Sequence, residues 1–267
     1  MSTSNETVER MAAMAELLGN APELCEEYRT CDQHGPYLAR QFFSIWTRCP
    51  VCEEEIRAKE NESRAQAERE RAALVWRATV SRAGIPQRFE DRTFEGYTAE
   101  SNGQKAALEF ARAFGDEVAN GTANGRCAVF VGKPGTGKTH LAVAIALRAM
   151  EGQKSAVFTT VTRLIRRIRD TYGKTSHETE TQAVAAFTSP DLLVLDEVGV
   201  QRGTEDEKLL MFDVLNDRYE TRKSTVLLSN LAAAELRGYL GDRVFDRMRE
   251  DGGRVIVFDW NSHRGAA

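Results

Sequence analysis

Near the middle of the chain, residues Gly132 to Thr139 spell GKPGTGKT, and no other stretch constrains the fold so tightly. A G-x-x-x-x-G-K-[ST] run can cradle phosphate only if a strand delivers the chain to it and a helix leads away. Here the apolar run CAVFV comes directly before it, and HLAVAIALRAM directly after. Gly135 and Gly137 permit backbone angles and a close approach that a side chain would block, so successive N–H groups can point at the β- and γ-phosphates. Lys138 adds a mobile positive charge on those phosphates, and the Thr139 hydroxyl is placed to ligate Mg²⁺. The helix N-terminus contributes further partial positive charge. On this reading ATP is held by Gly132, Lys133, Pro134, Gly135, Thr136, Gly137, Lys138, Thr139 and His140.

Four further apolar runs follow, SAVFTTV, LLVLDE, TVLLSN and RVIVFDW, separated by helical stretches. Continuous β-branched and aliphatic runs suit strands buried on both faces, and their alternation with helices predicts a parallel α/β sheet. LLVLDE ends in two acids, which need partners at the end of a buried strand. Asp196 is the natural holder of Mg²⁺, and Glu197 the natural base for an attacking water. Asn230, ending TVLLSN, either senses the γ-phosphate and its water or is a polar strand cap. Phosphoryl transfer also calls for a cation on the transferring phosphate. LGDRVFDRMRE offers Arg243 and Arg247 on one helical face; local pairing with Asp242 and Asp246 is the equally available reading.

In order and spacing, GKPGTGKTHLA, DLLVLDEVGVQ, the Asn-ended strand and the closing LGDRVFDRMRE…VIVFDWNSHR resemble the DnaC/DnaI-type helicase loaders of the AAA+ superfamily. The resemblance implies a P-loop AAA+ parallel-sheet core without a C-terminal lid, and an ATPase used as a switch. It implies that Arg247, or second Arg243, is an arginine finger acting on a neighbouring subunit, and that Arg264 is a second sensor arginine. It also implies ATP-dependent assembly into a spiral, binding of single-stranded DNA, and loading of a hexameric DnaB-type replicative helicase. In RLIRRIRDTY, Arg163, Arg166 and Arg167 occupy one helical face and Leu164, Ile165 and Ile168 another. In the family the corresponding helix lies near the single strand, which these arginines, with Tyr172 stacking, would contact; an ordinary solvated face is the alternative. IstB-type ATPases that assist transposition share much of this core. A small-molecule P-loop kinase fits less well, because the Asp196–Glu197 pair suits water activation.

The front of the chain follows different rules. Four of the five cysteines fall between Cys25 and Cys52. Cys31-x-x-His34 and Cys49-x-x-Cys52 have the short spacing that lets each pair reach one tetrahedral Zn²⁺, and four protein ligands would leave no open position for catalysis. Cys25 is the competing fourth ligand, less well spaced than His34. Phe42, Phe43, Ile45 and Trp46 form either the finger's own small core or a patch for a partner. Before the cysteines, Val8, Met11, Met14, Leu17 and Leu18 recur at helical spacing up to about Gly19. After them comes a Glu/Arg-dense solvated helix, broken at Gly84 and Pro86. The predicted layout is a zinc-binding, helicase-interacting domain at 1–54, a charged helical linker at 55–83 and an AAA+ ATPase at 84–267. With 28% charged residues, a net charge of −4 and no apolar run of membrane-spanning length, the composition points to a cytoplasmic protein with no membrane partner.

Overall fold

The computed structural model describes residues 25–42, 45–173, 176–200 and 204–262. The predicted N-terminal helix and Arg264 lie outside them. The chain divides into two compact units, split between Trp76 and Arg77.

The first unit opens with a β-hairpin. Strand β1 (Cys25–Cys31) runs antiparallel to β2 (Gly35–Phe42), and the short β3 (Ile45–Trp46) pairs with β2. Periodicity did not announce these strands, because β1 is polar and largely exposed along its length. Helix α1 (Pro50–Arg82) begins within the second Cys pair rather than after it. Proline suits that first helical position, since its φ is already helical and no intrahelical partner awaits its N–H. Among its described residues, little is dry. Ala39, Cys49 and Glu53 are buried, Ile45 is 40% exposed, and Trp46 is covered by the Arg29 guanidinium 3.9 Å from its ring. The Phe42 side chain and Phe43 lie outside the described residues. Leu74 and Val75, the first large apolar residues late in α1, bury no face and stay 67% and 61% exposed.

The second unit is organised by five strands: β4 (Ala128–Gly132), β5 (Ala156–Thr160), β6 (Leu192–Asp196), β7 (Ser224–Ser229) and β8 (Arg254–Phe258). They lie in the order β5-β6-β7-β4-β8 with every neighbouring pair parallel. Parallel pairing needs a crossover between strands, and helices supply it. Ahead of β4 lies α2 (Asn102–Asn120), and between the strands lie α3 (Lys138–Glu151), α4 (Val161–Asp170), α5 (Glu180–Thr188), α6 (Glu205–Glu220), α7 (Ala233–Leu240) and α8 (Asp242–Arg247). Leu192, Leu193, Val194 and Leu195 of β6 and Val226, Leu227 and Leu228 of β7 are fully buried. Each such side chain contributes about 1.5–3 kcal/mol of burial, so the sheet centre carries the unit's stability.

Arg218, on α6, is also fully buried, and burial lowers its pKa to about 10. Its guanidinium donates to the Thr225 hydroxyl and to the carbonyls of Phe187, Pro190 and Ser224, tying the end of α5 to the start of β7. Among the described residues, no helix is long and apolar enough to cross a membrane.

Candidate nucleotide and metal sites

The phosphate loop leaves β4 and enters α3, as its sequence requires. Gly132 must be glycine for packing: a Cβ there would lie 2.2 Å from the Phe258 carbonyl oxygen of β8. Gly137 sits at φ +95°, and a Cβ on it would meet the Tyr97 ring at 2.6 Å. Lys138 is 7% exposed, and its ammonium donates to the carbonyls of Gly132 (2.6 Å) and Lys133 (2.7 Å). The loop thus holds its cation folded back onto its own carbonyls.

A cleft of about 610 Å³ opens at this loop, within the range of small-ligand sites. Pro134, Gly135, Gly137, Lys138, Thr139 and His140 line it, with Asp196, Glu197 and Asn230 at the ends of neighbouring strands. Gly132, Lys133 and Thr136 are not on its wall; Thr136 is fully buried, and its hydroxyl donates to the Lys133 carbonyl. The Thr139 hydroxyl donates to Asp196 Oδ2 at 3.3 Å. A hydroxyl and a carboxylate oxygen converging beside the Lys138 loop form a donor set that fits Mg²⁺, a hard oxygen-seeking cation. Burial raises the Asp196 pKa, the penalty for holding a carboxylate in a mostly enclosed place, and a bound cation would offset it.

Glu197 has φ +61°, an unusual backbone for glutamate. Its N–H donates to Asp196 Oδ1 at 2.7 Å, while Val198 N–H bonds the Leu228 carbonyl of β7. The chain therefore turns sharply after β6, with both adjacent acids still on the wall of the one cleft. Such a backbone costs of order 1–3 kcal/mol and persists only where its surroundings enforce it.

Arg88, Phe89 and Arg92 complete the cleft wall, though the sequence predicts for this region only the helix break at Gly84 and Pro86. Arg88 lies over the Phe89 ring at 4.6 Å. This segment is held in place at both ends. Phe158 N–H of β5 bonds the Ala83 carbonyl, and His140 Nε2 donates to the Thr93 carbonyl at 2.8 Å. Burial lowers the His140 pKa, favouring a neutral ring for that bond. The visible signal was RFEDRTFEGY, dense in arginine and aromatic residues just ahead of the sheet.

The remaining arginines lie elsewhere. Arg243 and Arg247, on α8, are not on the cleft wall of their own chain. Arg243 faces the Phe212 ring at 5.7 Å; Arg247 lies 4.5 Å from the Tyr219 ring and donates to Asn216 Oδ1. Local pairing with Asp242 and Asp246 does not occur, because both acids are taken by Arg237 at 2.5 and 3.5 Å. On α4, Leu164, Ile165 and Ile168 are buried, and Arg163, Arg166 and Arg167 are exposed. Arg167 is tied to Glu178 at 2.7 Å, leaving Arg163 and Arg166 as that face's two cations with no ion pair among the described residues. Tyr172 is 57% exposed, its hydroxyl 3.5 Å from Glu180.

In the first unit, Cys31, His34, Cys49 and Cys52 bring their ligand atoms within 4.8 Å of one another. Cys31 and Cys52 sulfurs are 3.5 Å apart, and His34 Nδ1 lies 3.8, 3.8 and 3.3 Å from the sulfurs of Cys31, Cys49 and Cys52. With metal–sulfur bonds of about 2.3 Å, a tetrahedron's edges are roughly 3.5–3.8 Å, so these donors fit zinc. The hairpin register decides between His34 and Cys25. Cys31 pairs with Gly35 beside the turn, whereas Cys25 pairs with Gln41 at the far end, about 20 Å along the strand. Backbone N–H groups of Gln33 and His34 pull the Cys31 thiol down to about 6, and hydrogen bonding with Cys31 pushes Cys52 up to about 12. His34 Nε2 turns outward to Glu55 at 3.4 Å, the kind of outer partner that fixes a ligating imidazole.

Comparison with known proteins agrees with this architecture. Residues 109–251 match the family described as IstB-like ATP binding protein. The chain is similar to the replicative helicase loader DnaC of Escherichia coli strain K12, with 36% identity over 200 residues that cover 75% of this chain and 80% of that protein. The crystal structure of the DnaC helicase loader superposes with a TM-score of 0.57 at 26% identity, covering 64% of this chain and 99% of that one. The crystal structure of DnaI shares the fold, with a TM-score of 0.55 at 20% identity over 67% of this chain and 93% of that one.

Proposed function

Because the chain belongs to the DnaC/DnaI-type family of AAA+ ATP-binding proteins, within the IstB-like group, we propose that it loads a hexameric DnaB-type replicative helicase onto single-stranded DNA, using ATP as the switch. The observation that carries this reading is the 36% identity to a replicative helicase loader across four-fifths of that protein's length.

In this reading Thr139 and Asp196 would hold Mg²⁺, which would supply positive charge to offset that of the phosphates. Gly135 and Gly137 offer backbone donors, and Lys138 exchanges its two loop carbonyls for phosphate oxygens. Glu197, thrown clear of the strand by its left-handed backbone, accepts the proton of the attacking water; Asn230 orients that water. Arg247 completes the site of a neighbouring copy within a nucleotide-dependent spiral, with Arg243 beside it. Its position along α6, held by Asn216 and Tyr219, supports a role outside its own cleft. Mixing Arg247→Ala chains with Glu197→Gln chains then restores hydrolysis, because some interfaces pair an intact base with an intact arginine. Absence of recovery would return Arg247 to a structural role.

Arg163 and Arg166 contact the phosphates of the single strand, and Tyr172 offers a stacking surface. The Cys31–His34–Cys49–Cys52 cluster holds a structural zinc, and its unit is the part that recognises the helicase. The whole reading is tested by mixing the full-length chain with DnaB-type helicases. A stable complex on size exclusion and ATP-dependent delivery of the ring to protein-coated single strands are expected. A second reading, assistance to a transposase, is favoured by the IstB-like match at 109–251. Recovery of a transposase and no helicase from the same chain would establish it instead.

A further inference from the structure

The Thr136 carbonyl is where three distant pieces of the chain meet. Trp260, just beyond β8, donates its indole N–H to this oxygen at 2.8 Å. The Tyr97 hydroxyl approaches the same oxygen at 3.5 Å, and its ring fills the space against Gly137. Both residues are themselves braced. Trp260 lies 4.7 Å from the Phe258 ring, and a Cβ on Gly103 would touch its six-membered ring at 3.4 Å. Tyr97 meets His140 edge to face at 5.3 Å, and burial pushes its phenol up to about 12, so it remains a donor at neutral pH.

A peptide group is planar and trans, so its C=O and the following N–H point in opposite directions. Drawing the Thr136 oxygen toward Trp260 and Tyr97 therefore turns the Gly137 N–H away from them. Gly137 lines the cleft, whereas Trp260 and Tyr97 do not. We propose that Trp260 and Tyr97 are positioning residues that lock the Thr136–Gly137 peptide with its N–H presented to the β-phosphate before any nucleotide arrives. A glycine-flanked peptide is otherwise free to flip, and a donor that must first be reoriented contributes less to binding. The proposal rests on reading the cleft as an ATP site and adds to it a role for the segment after β8.

The test uses full-length Tyr97→Phe/Trp260→Phe, which keeps an aromatic ring at each position, a smaller one at 260, and removes both donors. Affinity for a fluorescent ADP analogue is measured directly, with ATP and AMP as competitors. ATP and ADP binding should weaken about tenfold, the usual scale for leaving a buried polar group unpaired, while AMP, lacking the β-phosphate, competes as before. Should the double variant fail to fold, each single variant is expected to lose about threefold by the same criterion. Unchanged ADP affinity would overturn the proposal, as would equal losses for AMP and ATP, which mark general loosening of the loop. A wild-type chain that binds no ADP would remove the ATP reading itself, and the proposal with it.

Discussion

The two candidate sites are built in opposite ways. In the second unit the fold comes first: a sheet whose central strands are buried sets the positions of Lys138, Thr139, Asp196 and Asn230, and the cleft is what remains at the strand ends. In the first unit the order is reversed. Among its described residues the strands are exposed, the dry interior amounts to little more than Ala39, Cys49 and the Glu53 side chain, and the best-defined packing is the convergence of four metal-ligand atoms. A unit with so little to bury depends on its ligand for stability, whereas a unit with a large core can lose its ligand and stay folded.

The strongest challenge to this contrast is removal of metal. Structural zinc contributes apparent folding free energy of roughly 10 kcal/mol or more in small modules, so a strong chelator should unfold the hairpin while the sheet's thermal transition stays in place. Circular dichroism and calorimetry on the full chain would show both responses, and a metal-free protein with an unaltered hairpin would break the comparison. Next in size is Lys138→Ala. Removing a charged partner of the phosphates should weaken ATP binding about a hundredfold with little change in melting temperature. Undiminished affinity for an ATP analogue would disqualify the cleft.

A smaller effect separates the cysteines. His34→Ala should lower zinc content below one per chain and Cys25→Ala should leave it intact, read by elemental analysis; the reverse result would mean that the register argument is wrong. The smallest effect belongs to the surface of α4. Arg163→Ala/Arg166→Ala should reduce the logarithmic salt dependence of single-strand binding by about 1.4, two phosphate contacts at roughly 0.7 each. An unchanged slope would make this an ordinary solvated face.

The phosphate loop and the acidic strand end were legible because their chemistry ties particular residue types to consecutive positions. The central strands β4, β6 and β7 were legible for a related reason, since burial on both faces leaves unbroken apolar runs, and edge strand β8 was legible from its β-branched run although Val257 stays 54% exposed. The metal cluster was readable from spacing, but the choice of His34 over Cys25 became geometric only once the hairpin register was known. Arg88, Phe89, Arg92, Tyr97 and Trp260 were missed because they reach the loop through tertiary packing, from segments before α2 and after β8. No periodicity marks such residues. The pairing offered for Asp242 and Asp246 failed similarly: helical spacing allowed Arg243 and Arg247 as partners, yet Arg237, from the preceding helix, took both acids.

Glu197 and its left-handed backbone also bear on how this protein can be engineered. Glycine at that position would relieve the backbone cost and remove the proposed general base together, so, on the proposed mechanism, selection for heat resistance alone would favour a sturdier chain that no longer turns over ATP. Any library screened for durability should therefore be counter-screened for phosphate release, with position 197 held constant from the outset.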